Sequence, residues 1–166
     1  MTLFMETTEI TPDKTIHEIE AVLVRYKAQA ILKEYGPEGE IAAVAFRYRT
    51  SEGDIPFRLP CRWPAIAEYL RLRAKVSDYD WKSSYESSRK RRASIETKAR
   101  RVAWRQVLRW IEAQLAFVDS GMVEVQEVFM SYAQISATQT MYEAIKEKGG
   151  LLQLSFKGDK NADQKS

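Results

Sequence analysis

The sequence predicts an α+β protein: a helix, a three-stranded antiparallel sheet, a second helix, and then a helical C-terminal half with one long helix. Three observations predict this fold class. Apolar residues recur at helical spacing near the start of the chain and again in its second half. Residues of the two faces of a strand alternate only in the segment between these two regions. Turn sequences rich in glycine separate the alternating runs. With 166 residues and 45% apolar content, the chain is long enough for one core.

The first helix and the strands follow from short local patterns. Thr11-Pro12 is typical of a helix start, and the helix is expected to end near Lys27. Strands are predicted over 29–35, 40–49 and about 55–59, joined by a turn at 36–39 and a hairpin loop at 51–54.

Prolines place the third strand and the second helix. Pro56 and Pro60 cannot donate to a neighbouring strand, so the third strand is expected at an edge of the sheet. Trp63-Pro64 opens a helix that is predicted to reach about Val76.

The second half of the chain is predicted to be helical. A long helix over 93–119 is indicated by an apolar stripe with alternating spacings of four and three, which comprises Trp104, Leu108, Ile111, Leu115 and Val118. Shorter helices are expected over 123–132 and 138–148, and a last strand over 151–156. The predicted organisation is a sheet-containing part (1–76), a basic flexible loop (77–92), a helical part packed on the same core (93–156) and a disordered tail (157–166).

Charge is distributed unevenly along the chain. The segment 89–109 contains nine Lys or Arg residues and one acid, Glu96, so its net charge is +8, while the whole chain is only +3. A concentrated basic segment beside aromatic residues is typical of a protein that contacts a polyanion, most often nucleic acid. The sequence therefore favours a non-catalytic, largely sequence-independent nucleic-acid-binding protein that prefers single-stranded DNA to duplex.

Three groups of residues form the predicted nucleic-acid site. The phosphate-binding group consists of Arg89, Lys90, Arg91, Arg92, Lys98, Arg101, Arg105 and Arg109. Tyr79, Trp81 and Tyr85 are expected to stack on bases. Arg47, Arg49 and Arg58 are expected on the outward face of the sheet, where they would extend the cationic surface.

Other interpretations of the same residues stay open. The basic helix face could simply be solvated, and Arg47 and Arg49 could pair with acids of the hairpin, namely Glu40, Glu52 or Asp54. The apolar stripe of the long helix could join two subunits in a homo-oligomer. A protein-interaction or regulatory module, such as an inhibitor of a host factor, would show the same pattern.

Catalytic and metal-binding patterns are weak in this sequence. It contains one histidine, His17, and one cysteine, Cys61, and it lacks the glycine-rich phosphate-binding and nucleophile-elbow motifs. We therefore expect no enzyme activity, no cofactor and no metal. No apolar run approaches the roughly 18 residues of a membrane span, and the first residues do not resemble a signal peptide, so a cytoplasmic protein without membrane partners is expected.

Several short motifs resemble a known group of proteins. They are Ala45-Phe46-Arg47, Phe57-Arg58-Leu59-Pro60, Arg101-Val102-Ala103-Trp104-Arg105, Trp110-Ile111-Glu112-Ala113-Gln114-Leu115-Ala116, Gly121-Met122 and Val128-Phe129-Met130. Together they resemble short proteins of phages and prophage-like elements, over residues 14–148. The resemblance implies a product of a mobile element, often near DNA metabolism, and it implies no functional residue.

Overall fold

The structure, a computed structural model, describes residues 2–74 and 85–149 and confirms the predicted α+β order of elements. The first helix, α1, spans Pro12–Arg25. Thr11 caps it, because its Oγ1 accepts a hydrogen bond from the backbone N–H of Lys14 at 3.4 Å. The helix ends two residues earlier than expected, since Lys27 has a φ of 66°, outside the helical region.

The sheet is antiparallel with strand order β1-β2-β3, as predicted. Its strands are β1 (Ala30–Tyr35), β2 (Ile41–Thr50) and β3 (Gly53–Pro60). The register places Leu32, Ala45 and Arg58 side by side on one face. β3 lies at an edge of the sheet, as its two prolines indicate. On its open side, the carbonyl of Pro56 accepts a hydrogen bond from the backbone N–H of Gln134 at 2.9 Å.

The remaining helices follow the sheet. They are α2 (Trp63–Arg73), α3 (Tyr85–Asp119), α4 (Val125–Phe129), which continues into a 3₁₀ turn at Met130–Tyr132, and α5 (Met141–Glu147). The prediction of a flexible loop over 77–92 is wrong for residues 85–92, which form the first turns of α3. Arg, Lys and Ala are good helix formers, and Glu86 pairs with Arg89 and Lys90 three and four residues later, which stabilises these turns.

The core lies between the inner face of the sheet and the helices α1 and α3. The predicted stripe of α3 is buried from Trp104 to Leu115 and half-buried at Val118. It packs inside the core of its own chain, with Ile16 and Leu23 of α1 in the same cluster. A helix–helix contact between two subunits would therefore need other residues than this stripe.

Two predicted features lie outside the described residues. These are the last strand over 151–156 and the disordered tail over 157–166.

Candidate nucleic-acid interface

The long basic helix α3 consists of two parts with different surroundings. We call residues 85–97 the arm and residues 98–119 the body. None of the arm residues, all of which the structure describes, is buried, whereas burial starts at Ala99 and continues to Leu115 at helical spacing. α2 lies beside the arm, and Trp63 and Arg71 of α2 line a depression of about 240 Å³ together with Arg92 and Ile95 of the arm.

Four consecutive basic residues, Arg89, Lys90, Arg91 and Arg92, form the most exposed cationic surface of the arm. Successive helical residues are rotated by about 100°, so these side chains point in different directions around the helix axis. Glu86 lies 3.1 Å from the Arg89 guanidinium and 3.7 Å from the Lys90 ammonium, and all three side chains are at least half exposed. Surface pairs of this kind contribute roughly 0–1 kcal/mol, so a phosphate can replace the carboxylate.

The basic residues of the body make ion pairs with acids from other parts of the chain or from α3 itself. The pairs are Lys98–Glu6 at 3.1 Å, Arg100–Glu38 at 3.2 Å, Arg101–Glu9 at 2.7 Å, Arg105–Glu18 at 2.5 Å and Arg109–Glu112 at 2.7 Å. Four of these five basic residues thus receive their counter-charges from acids distant in the sequence, which the local count of charges does not include.

Arg105 is the most enclosed of these cations. Only 8% of its side chain is exposed, and its guanidinium lies against the Glu18 carboxylate of α1. A phosphate would reach it only after Glu18 had moved. Arg105 therefore connects α3 to α1 in this structure, and its predicted contact with nucleic acid would require local opening.

Glu6 is the only buried acid among the described residues, with 7% of its surface exposed. It accepts hydrogen bonds from Arg73 at the end of α2, from the backbone N–H of Leu3 and from Lys98. These contacts, the Arg73 hydrogen bond first among them, hold the pKa of Glu6 far below its ordinary value. The carboxylate therefore joins the N-terminal segment to both helices as a permanent anion near neutral pH.

The three predicted arginines of the sheet lie on its outward face, as expected, but each pairs with an acid. Asp54 lies 2.9 Å from Arg49 and 3.6 Å from Arg47 across the β2–β3 hairpin. Arg58 donates hydrogen bonds to the carboxylate of Glu34 of β1, and these bonds raise the pKa of the arginine above its ordinary value. Because Arg47 and Arg49 share one acid, Asp54, the acids offset much of the positive charge of these arginines. The pairing of Arg47 and Arg49 with Asp54 was one of the alternatives that the sequence left open.

The aromatic residues of the predicted site are only partly described. Tyr79 and Trp81 lie outside the described residues. Tyr85, at the first position of α3, is 84% exposed and borders a depression with Arg89 and Arg92. This placement puts an accessible ring one turn away from the exposed cations.

Trp63 is an aromatic residue that the sequence indicated only as part of a helix start. The guanidinium of Arg100 lies 4.5 Å from its ring centroid, in the geometry of a cation–π contact. Trp63 also borders a cavity of about 450 Å³. The cavity is lined by Trp104 of α3, by residues of α1 and by residues of the β1–β2 hairpin, among them Lys33 and Glu38. Charges of both signs line this cavity, so it does not extend the basic surface of the arm.

The single cysteine and the single histidine lie in different parts of the fold. Burial raises the pKa of the Cys61 thiol to about 12, so this cysteine stays protonated and is a poor nucleophile. His17 is exposed on α1, with Glu20 at 3.6 Å. Among residues 2–74 and 85–149, no group of three or more His, Cys, Asp or Glu side chains is arranged to hold a metal ion.

Comparison of the chain with protein-family models, with curated proteins and with solved structures finds no match. No helix within the described ranges is both long enough and apolar enough to cross a lipid bilayer.

Proposed function

We propose that this protein binds nucleic acid without catalysis and largely without sequence preference, and that the arm of α3 makes the primary contact. The observation that carries this proposal is the run of four consecutive exposed cations, Arg89 to Arg92. They lie in the arm, where the structure describes every residue and none is buried. Phosphate neutralisation by such side chains supplies most of the affinity in sequence-independent binding.

The arrangement of the arm suits a flexible polyanion. Because the four cations project around the helix axis, a phosphate backbone can approach from several directions and still meet a positive charge. A rigid protein surface would need a defined complementary face, and the basic residues of the arm do not form a single stripe. This difference favours nucleic acid over a protein partner.

Single-stranded DNA is the preferred ligand in this proposal. Tyr85 is exposed one turn before Arg89, so a base can stack on its ring while neighbouring phosphates contact the arginines. Tyr79 and Trp81 precede it in the sequence and are proposed to add further stacking. The phage-like motifs lead us to place this activity in the DNA metabolism of a mobile element in the cytoplasm.

An exposed apolar surface supports a second candidate function, a protein-interaction or regulatory module. Leu72 and Tyr69 of α2 are 64% and 42% exposed and lie three residues apart, on the same side of this helix. A partner protein could bind these side chains. In that case the basic residues would steer the encounter and contribute little affinity.

The test is fluorescence anisotropy with a labelled single-stranded oligonucleotide and with its duplex, each at several salt concentrations. We expect binding that weakens steeply with salt and is tighter for the single strand. Each phosphate contact adds about 0.7 to the slope of log K against log salt for single strands. An absence of binding at low salt would reject nucleic acid as the ligand and favour the protein-interaction module.

A further inference from the structure

An acidic segment lies across the basic body of α3. Residues 2–10, which we call the strap, precede α1. The two acids of the strap contact the body of α3. Glu6 binds Lys98 at 3.1 Å and Glu9 binds Arg101 at 2.7 Å. The amide of Gln106 also donates a hydrogen bond to the carbonyl of Phe4 at 2.8 Å, so the strap is held at three points along the helix.

The strap buries no apolar side chain, and its ion pairs tie it to α3 and, through Glu6 and Arg73, to α2. Glu6 is its only buried residue, and the large side chain of Phe4 is 63% exposed. The Glu9 side chain is 83% exposed although it pairs with Arg101. A segment with few buried apolar contacts opens more easily than the core does, and charge contacts near the surface weaken with salt.

The cations beneath the strap continue the basic surface of the arm. Arg91, Lys98, Arg101 and Arg105 follow one another at spacings of seven, three and four residues, which places them on the same side of α3. Glu6 and Glu9 pair with the two middle members of this row. A polyanion that follows the helix from Arg91 would therefore meet the strap next.

We propose that the strap is an intramolecular competitor for the basic row of α3. It confines a bound polyanion to the arm, and its release extends the site to Lys98 and Arg101. This inference rests on the proposed binding of nucleic acid by the arm. The acids of the strap occupy the positions that phosphates of a longer contact would take.

The experiment compares strap variants of the full chain by anisotropy with a single-stranded oligonucleotide across a salt series. Glu9→Gln removes an exposed strap charge, and Glu6→Gln combined with Glu9→Gln removes both charges. The control is Glu52→Gln for the single variant, and Glu52→Gln with Glu147→Gln for the double variant, since these acids lie outside the strap. Each control makes the same change in net charge as the strap variant. Thermal unfolding of every variant verifies that it is folded.

We expect Glu9→Gln to bind about 3-fold more tightly and the double variant about 10-fold more tightly than the matched controls. The salt slope should steepen by about 0.7 for each cation released. If the double variant does not fold, the result for Glu9→Gln decides, because its exposed side chain leaves the core unchanged.

The outcomes separate the strap from the function on which it depends. Binding by the wild-type chain with strap variants equal to their controls would overturn the strap proposal and leave the proposed function intact. If no chain binds the oligonucleotide at low salt, both proposals are overturned. Tighter binding by the strap variants, with a steeper salt slope, supports both.

Discussion

The arm and the body of α3 carry basic residues at similar density, and the structure gives them different surroundings. The four basic residues of the arm are all exposed, and Arg89 and Lys90 pair with Glu86 of the arm itself. Four of the five basic residues of the body are half-buried or buried, and these four pair with acids from other parts of the chain. We infer that a run of positive charge is a stronger indication of binding where its side chains stay exposed than where the fold covers them. Sequence-local charge counts treat the two parts of α3 alike.

The largest expected difference between the two parts is in stability. Leu108→Ala in the body should lower the free energy of unfolding by about 2–5 kcal/mol, because it empties a fully buried position. Lys90→Ala in the arm should change it by less than about 0.5 kcal/mol, since this side chain is 75% exposed. Urea denaturation measures both values. Similar losses for both variants would show that the arm is packed in the folded protein.

Neutralising the arm should cause the largest loss of affinity. Replacing Arg89, Lys90, Arg91 and Arg92 together by Gln should weaken binding of single-stranded DNA about 100-fold at low salt and reduce the salt slope by about 3. The anisotropy salt series measures both quantities. An unchanged salt slope would mean that the phosphates contact another surface.

A matched pair of single variants sharpens this comparison. Arg89 and Arg109 are both exposed, and each pairs with an acid three residues away on α3, Glu86 and Glu112 respectively. Arg89→Gln should lower the affinity about 3- to 5-fold, whereas Arg109→Gln should leave it within about 2-fold. Equal losses for the two variants would remove the distinction between arm and body.

Arg105 is expected to contribute to stability and not to binding. Arg105→Ala would leave the Glu18 carboxylate without its partner, and unfolding should become easier by about 1–3 kcal/mol, a reduced value because Glu18 is about one-third exposed. Urea denaturation and oligonucleotide anisotropy on the same variant test this expectation. A loss of affinity with unchanged stability would place Arg105 in the nucleic-acid site.

The last expected effect appears only at acidic pH and concerns Glu6. Its pKa is lower in the folded protein than in the unfolded chain, so its stabilising contribution is complete above about pH 4.3 and is lost as the pH falls towards the folded-state pKa. The wild-type chain and Glu6→Gln should therefore differ most in thermal midpoint near pH 7. This difference should shrink as the pH falls below about 4. A difference that is constant with pH would show that the Glu6 charge does not stabilise the fold.

Periodicity predicted much of the fold correctly. The alternation of Val44, Phe46 and Tyr48, and the four–three spacing of the α3 stripe, identified residues that the structure packs on the core. The start of α3 was missed because serines and a basic run suggested a loop, while the pairing of Glu86 with Arg89 and Lys90 became visible only in the structure.

The candidate site was less predictable than the fold. The sequence predicts the cations of α3 as site residues from their local density, but the acids that pair with the body lie up to 92 residues away in the chain. Only the negative balance of the remaining chain indicated that such acids exist, and it did not show where they lie. Pairing over this separation depends on how α1 and the strap pack on α3, which local patterns do not encode.

Lysine footprinting tests the central claim most directly, because α3 carries one lysine in each part. Lys90 lies in the arm, and Lys98 lies in the body beside Glu6. Acetylation of each lysine would be followed by mass spectrometry with and without a single-stranded oligonucleotide, with Lys146 of α5 as the reference. We expect the oligonucleotide to slow the modification of Lys90 and to leave the modification rate of Lys98 unchanged. Protection of Lys98 without protection of Lys90, or protection of neither, would contradict it.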